Sequence, residues 1–113
     1  MQDTETEAAT PKPTHVETAD ALDAVVDEND RVLVEFYTEG CGACAAMEPV
    51  LSVVGKQTGV QVVLVNPRDD PTLIDAYDIR SVPTLVLFEE GAPVARLEDG
   101  FVGADRVIDE LLG

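Results

Sequence analysis

The sequence predicts an α/β domain built on one central mixed β-sheet with helices on both faces. Three observations carry this. Short runs rich in Val, Leu and Phe, at 31–37, 60–65 and 84–89, alternate with stretches whose apolar residues recur at helical spacing. The strand–helix–strand beginning calls for parallel pairing through a crossover. Late in the chain, Glu90-Gly91 is a turn signal between two strand-like segments, which calls for an antiparallel hairpin.

The elements follow in order. Residues 1–15 read as a disordered acidic N-terminal tail, polar and aperiodic with Pro11 and Pro13, and the folded domain spans 16–113. A weak edge strand starts near His15 and Val16. Thr18 is an N-cap for a helix with Ala21, Leu22, Val25 and Val26 on one face, ended by Asn29-Asp30. Arg31 to Tyr37 reads as a buried strand. A helical pattern beginning near Cys44 carries Met47, Val50, Leu51 and Val54, and Pro49 inside it predicts a kink. Gly59 separates this helix from a strand over Val60 to Val65. After the loop from Asn66 to Pro71 comes a short helix through Leu73, Ile74 and Tyr77. Thr84 to Glu89 and Pro93 to Glu98 form the hairpin, and Gly100 and Gly103 precede a last amphipathic helix with Val107, Ile108, Leu111 and Leu112. The order is β-α-β-α-β-α-β-β-α.

The chain has 113 residues, 45% of them hydrophobic, which suits one domain with an ordinary core. No apolar stretch approaches the ~20 residues that span a bilayer. The acidic start from Met1 to Glu7 lacks the apolar follow-on of a secretory signal, so a cytoplasmic location without membrane association is expected. The net charge is −16, from 23 acidic and 7 basic residues. Nucleic-acid phosphates would be repelled, so no nucleic-acid partner is expected. Such a charge also destabilises a small fold by self-repulsion and argues for a monomer. At about 1 M salt the Debye length falls to about 3 Å and most of that repulsion vanishes. Adaptation to a salt-rich cytoplasm, as in a halophile, is the expected reason; an acidic surface for a basic partner is the alternative.

The two cysteines stand three apart, as Cys41-Gly42-Ala43-Cys44, where a strand gives way to a helix. A thiolate at a helix N-terminus meets the positive end of the dipole and unpaired N–H groups, which lower its pKa and favour the reactive form. A bridge over so short a loop restrains the unfolded chain little, so the pair reads as reactive rather than structural. It could also be half of a zinc site, but zinc takes four protein ligands and the only imidazole is His15, so no metal is expected. Glu35, mid-strand among apolar residues, is a candidate buried carboxyl with a raised pKa.

A second feature is Ser81-Val82-Pro83-Thr84, directly before a strand. Together with Cys41, Cys44, Pro49, Asp78-Ile79-Arg80, Phe88 and Gly91, it makes residues 16 to the end resemble the thioredoxin family. The resemblance implies the thioredoxin fold and a protein-disulfide reductase that works by dithiol exchange and needs no bound cofactor. It implies that Cys41 attacks the substrate disulfide and Cys44 resolves the mixed disulfide. Glu35 would be the proton acceptor for Cys44, so that Glu35→Gln slows exchange with little effect on folding. Leu64 stands where many members carry a lysine near that acid, and the loss of that cation would raise the acid's pKa further. Pro83 would be cis beside the thiols, and Val82 would offer its backbone to an extended substrate. Gly40, Gly42, Ala43 and Gly100 would line the substrate-binding rim. The implied partners are protein disulfides and an electron donor resembling thioredoxin reductase.

The pattern also departs from the family. Gly40 replaces the usual Trp, which loosens the loop and alters substrate choice, and Ala43 replaces the usual Pro between the cysteines. The expected potential is therefore less reducing than the roughly −270 mV typical of thioredoxin. Glu39 is a further negative charge two residues before Cys41, either opposing the thiolate or simply part of the solvated acidic face. A dithiol oxidase or isomerase on the same fold, and a non-catalytic interaction module that docks partners beside Pro83, are the alternative functions.

Overall fold

A computed structural model describes residues 13–113; most of the expected acidic tail lies outside the described residues. Five strands form one sheet in the order β1-β3-β2-β4-β5. They are β1 (Thr14–Val16), β2 (Arg31–Phe36), β3 (Gln61–Val65), β4 (Thr84–Glu89) and β5 (Ala92–Leu97). The pairs β1–β3 and β2–β3 are parallel, and β2–β4 and β4–β5 antiparallel. The helices are α1 (Ala19–Glu28), α2 (Gly42–Thr58), α3 (Thr72–Tyr77) and α4 (Ala104–Val107), the last continuing as a π-helical turn over Ile108–Leu112.

Alternation along the central strands divides the core in two. On one face, Leu33, Val62, Leu64, Leu85 and Leu87 meet Met47, Leu51 and Val54 of α2 and Val107 of α4. On the other, Val32, Val34, Phe36, Val63, Val65, Val86 and Phe88 meet Leu22 and Val26 of α1 and Leu73 of α3. Thr18 caps α1, its hydroxyl accepting from the Ala21 N–H at 3.0 Å. The free Ala19 N–H of the same helix donates to Asp70 at 2.8 Å, and Asp70 also takes the Thr72 N–H and hydroxyl. One carboxylate thus ties the starts of α1 and α3, and these bonds, the Thr72 hydroxyl first, hold its pKa below the ordinary value. Gly59 closes α2 in the left-handed region (φ 78°), its N–H reaching the Gly55 carbonyl at 2.8 Å.

The structure departs from the sequence expectation in four places. Thr14 and His15, assigned to the tail, belong to β1, because the ladder to Val63 and Leu64 supplies order that local composition does not. The helix expected near Cys44 starts at Gly42, with Cys41 as its cap. The hairpin strand runs 92–97 rather than 93–98, with a bulge opposite Leu87 and Phe88 that leaves the exposed Val94 as the extra residue. Pro93 is tolerated there because β5 is an edge strand. The last helix widens into a π turn that keeps Leu111 buried while the Leu112 carbonyl accepts from Arg31 at 2.9 Å.

Candidate active site

The parallel strand β2 delivers the chain to the top of the sheet, where the 37–41 loop turns into α2. Gly40 takes φ 80°, a left-handed conformation that a side chain would strain, although the space beside it is open. Glycine here serves the turn. Cys41 caps α2: its sulfur accepts the Cys44 N–H at 3.1 Å. One of the helix's orphan donors is thereby aimed at the sulfur that would carry charge when reduced. Cys41 and Cys44 are disulfide-bonded, with Cα atoms 5.2 Å apart. Cys41 is half-exposed and Cys44 is only 2% exposed, so the two sulfurs differ in access as well as in capping.

The Val82–Pro83 peptide bond is cis, and the Val82 carbonyl oxygen lies 4.0 Å from the Cys41 sulfur. Pro83 is buried and Val82 half-exposed. The fully buried Thr84 hydroxyl donates to the Ser81 carbonyl at 2.7 Å and fixes the strand end of this loop. Gly42 is exposed and Ala43 half-exposed in the first turn of α2. Gly100 (φ 77°) is placed indirectly: the Val102 N–H meets the Met47 sulfur at 3.4 Å, which holds its segment against the buried side of α2. Phe101 beside it is 54% exposed, an apolar surface on a segment that would flank the rim.

Glu35 is 0% exposed, and neither carboxyl oxygen has a hydrogen-bond partner among the described residues. Its neighbours in register are Leu64 on β3 and Leu85 on β4, so the strands flank it with hydrocarbon on both sides. Burial, and then the Glu48 carboxylate, push its pKa from 4.5 up to about 8. The half-exposed Tyr37 has its phenol raised as well, by burial first and then by Asp69, Glu39, Glu48 and Glu35. Its ring meets His15 of β1 edge-on, centroids 6.1 Å apart.

Sequence reasoning missed the influence of Glu48 on Glu35, although Glu48 follows Cys44 by one helical turn on α2. Thr84 stood in the Ser81-Val82-Pro83-Thr84 motif, but the bond of its hydroxyl to the Ser81 carbonyl was not legible from the sequence. Glu39 is exposed, and its resolved effect is on Tyr37. No group of three or more His, Cys, Asp or Glu among the described residues is placed to hold a metal ion.

The thioredoxin family model matches residues 13–111, nearly the whole described chain and both halves of this site. The chain belongs to the thioredoxin family. A thioredoxin-like protein of Synechocystis is 43% identical over 82 residues, covering 71% of this chain and 77% of that protein. Thioredoxin of Pyropia yezoensis is 37% identical over 82 residues, covering 71% and 73%. Among solved structures, a mutant thioredoxin from Halobacterium salinarum superposes with a TM-score of 0.81 at 37% identity, covering 87% of this chain and 86% of that one. The thioredoxin fold is that of the expected five-stranded mixed sheet. With its paired cysteines, this thioredoxin-family chain is a thiol–disulfide oxidoreductase acting as a protein-disulfide reductase.

Proposed function

We propose that the half-exposed Cys41 attacks and the buried Cys44 resolves. The observation that supports this is the contrast in access across a single bridge at the start of α2. In the reduced protein, the Cys41 thiolate bonds to one sulfur of a substrate disulfide and the other leaves as a thiolate. Glu35, ionised in only a minority of molecules at neutral pH because its pKa is raised to about 8, then takes the Cys44 proton, and Cys44 displaces the remaining substrate sulfur from Cys41. The substrate gains two electrons, its two thiolates take one proton back from Glu35 and one from solvent, and the Cys41–Cys44 bridge forms. Val82 receives the extended substrate through its backbone, beside Pro83, and Gly40, Gly42, Ala43 and Gly100 line the rim. An electron donor resembling thioredoxin reductase restores the dithiol.

The test is dithiothreitol-driven reduction of insulin disulfides in molar KCl. The wild-type protein is expected to accelerate it and Cys41→Ser to leave the uncatalysed rate. Equal acceleration by both proteins would refute the assignment.

We further propose that the protein acts as a monomer in a salt-rich cytoplasm. The net charge of −16 supports this, as does the structural likeness to a thioredoxin from Halobacterium salinarum. No described helix is long and apolar enough to cross a membrane. The ion pairs Arg31–Glu89, Arg106–Asp99 and Arg106–Glu110 are all about half exposed and offset little of the repulsion. The melting temperature is therefore expected to rise by roughly 10 °C or more between 0.05 and 2 M KCl, a change of about 2 kcal/mol for a domain of this size. A flat profile would remove the salt adaptation.

A further inference from the structure

The loop that meets Cys41 is held at both ends, and only one holding contact lies near it in sequence. At its far end Thr84 bonds the Ser81 carbonyl. At its near end stands Arg96, on β5, two strands away from β2. Arg96 pairs in register with Val86, which places its side chain on the sheet face that packs α3. The guanidinium donates from Nη1 to the Tyr77 carbonyl and from Nη2 to the Asp78 carbonyl, while Nε is held by Glu98. These are successive carbonyls at the C-terminal end of α3, where a helix has no donors of its own to offer. The last turn of α3 contains no basic residue that could serve instead.

The backbone turns sharply at this point. Asp78 adopts φ 53°, a left-handed conformation uncommon for a residue with a side chain, and its N–H returns to the Ile74 carbonyl. The Tyr77 ring is wedged against Phe36 and Phe88, each with centroids 5.6 Å away. From Asp78 the chain passes through Ile79, packed on the core, to Val82 and Pro83. The Asp78–Arg80 ion pair within this stretch is 3.6 Å long and exposed, so it restrains little. Only Ile79, Arg80 and Ser81 separate this turn from Val82, whose carbonyl oxygen lies 4.0 Å from the Cys41 sulfur.

We propose that Arg96 is a positioning residue for polypeptide substrates: by fixing the carbonyls of Tyr77 and Asp78 it places the Val82 backbone beside Cys41. This rests on the exchange chemistry of Cys41 and Cys44 and adds a distant determinant of substrate engagement. A planar guanidinium satisfies two neighbouring carbonyls at once, which an ammonium cannot do with the same geometry.

The test compares two disulfides. Arg96→Met keeps the length of the stem and removes the donors. For insulin, its KM is expected to rise by roughly fivefold with kcat within about twofold of wild type, the signature of lost positioning rather than lost chemistry. For 5,5′-dithiobis(2-nitrobenzoic acid), too small to pair along the loop, the rate of the reduced variant is expected to stay within about twofold. Arg96→Lys is expected to recover part of the KM, and it carries the same comparison should the methionine variant not fold. Parallel losses on both disulfides, or an unchanged KM for insulin, would overturn the proposal. Wild-type turnover of the small disulfide reports the exchange chemistry separately from Arg96.

Discussion

Replacing Glu35 by glutamine is expected to stabilise the fold by an amount that grows with pH, while slowing disulfide exchange. The buried carboxyl titrates at about 8, against 4.5 for the ordinary group, with burial as the larger cause and Glu48 as the smaller. Below pH 4.5 both folded and unfolded chains hold the proton, and the carboxyl makes no pH-dependent contribution. Between 4.5 and about 8 the unfolded chain ionises while the folded one keeps its proton, so wild-type stability falls as pH rises. Above about 8 both are ionised and the loss is complete. At about 1.4 kcal/mol per unit, the loss attributable to Glu35 is roughly 3–5 kcal/mol by pH 9. Glutamine also buries a polar group without a partner, but that cost does not vary with pH, so the difference between the two proteins isolates the carboxyl. Urea unfolding at pH 4.5, 7 and 9 measures it; curves that stay parallel would show that Glu35 is not desolvated in the fold. The sequence expectation of little effect on folding is thus confined to acidic pH. The kinetic counterpart is a fall of roughly 10²-fold in the step that deprotonates Cys44, the usual scale for a lost general base, and loss of the inflection near pH 8.

The second large effect is expected from Cys44→Ser. Without the resolving sulfur, attack by Cys41 stops after one bond exchange: a substrate thiol leaves and the protein remains joined to the substrate. Turnover should fall to the background of the reductant, and mixed disulfides should accumulate to about one per protein molecule. Cys41→Ser should capture almost nothing, because the remaining sulfur of Cys44 is 2% exposed. Non-reducing electrophoresis and intact mass separate the two outcomes. Capture through Cys44, or continued turnover by the serine variant at 44, would reverse the assigned order of attack.

Local patterns carried much of the architecture. The runs at 31–37, 60–65 and 84–89 are β-branched and leucine-rich, and their strands differ from the expected bounds by no more than a residue. Thr18, Gly59 and the Glu90-Gly91 turn act within a few residues of where they stand, so their effects were legible one residue at a time. The weak first strand was different. A three-residue β1 has only a faint signal of its own, at His15 and Val16, and is held by its register with β3. The bulge at Val94 and the π turn after Val107 likewise answer to neighbours distant in sequence.

The sequence by itself determined which atoms can exchange electrons: two thiols one helical turn apart behind a strand, with an acid among apolar residues and a proline loop downstream. Those are matters of spacing and residue type. Only the tertiary structure decided how the groups differ from one another. It showed that Cys41 is reachable and Cys44 is not, and that Glu35 lies in hydrocarbon between Leu64 and Leu85 within reach of the Glu48 charge. It also showed that Arg96, on an edge strand, grips the helix leading to Val82. Burial and charge proximity depend on which distant segments share a face of the sheet, and these set proton affinity and access.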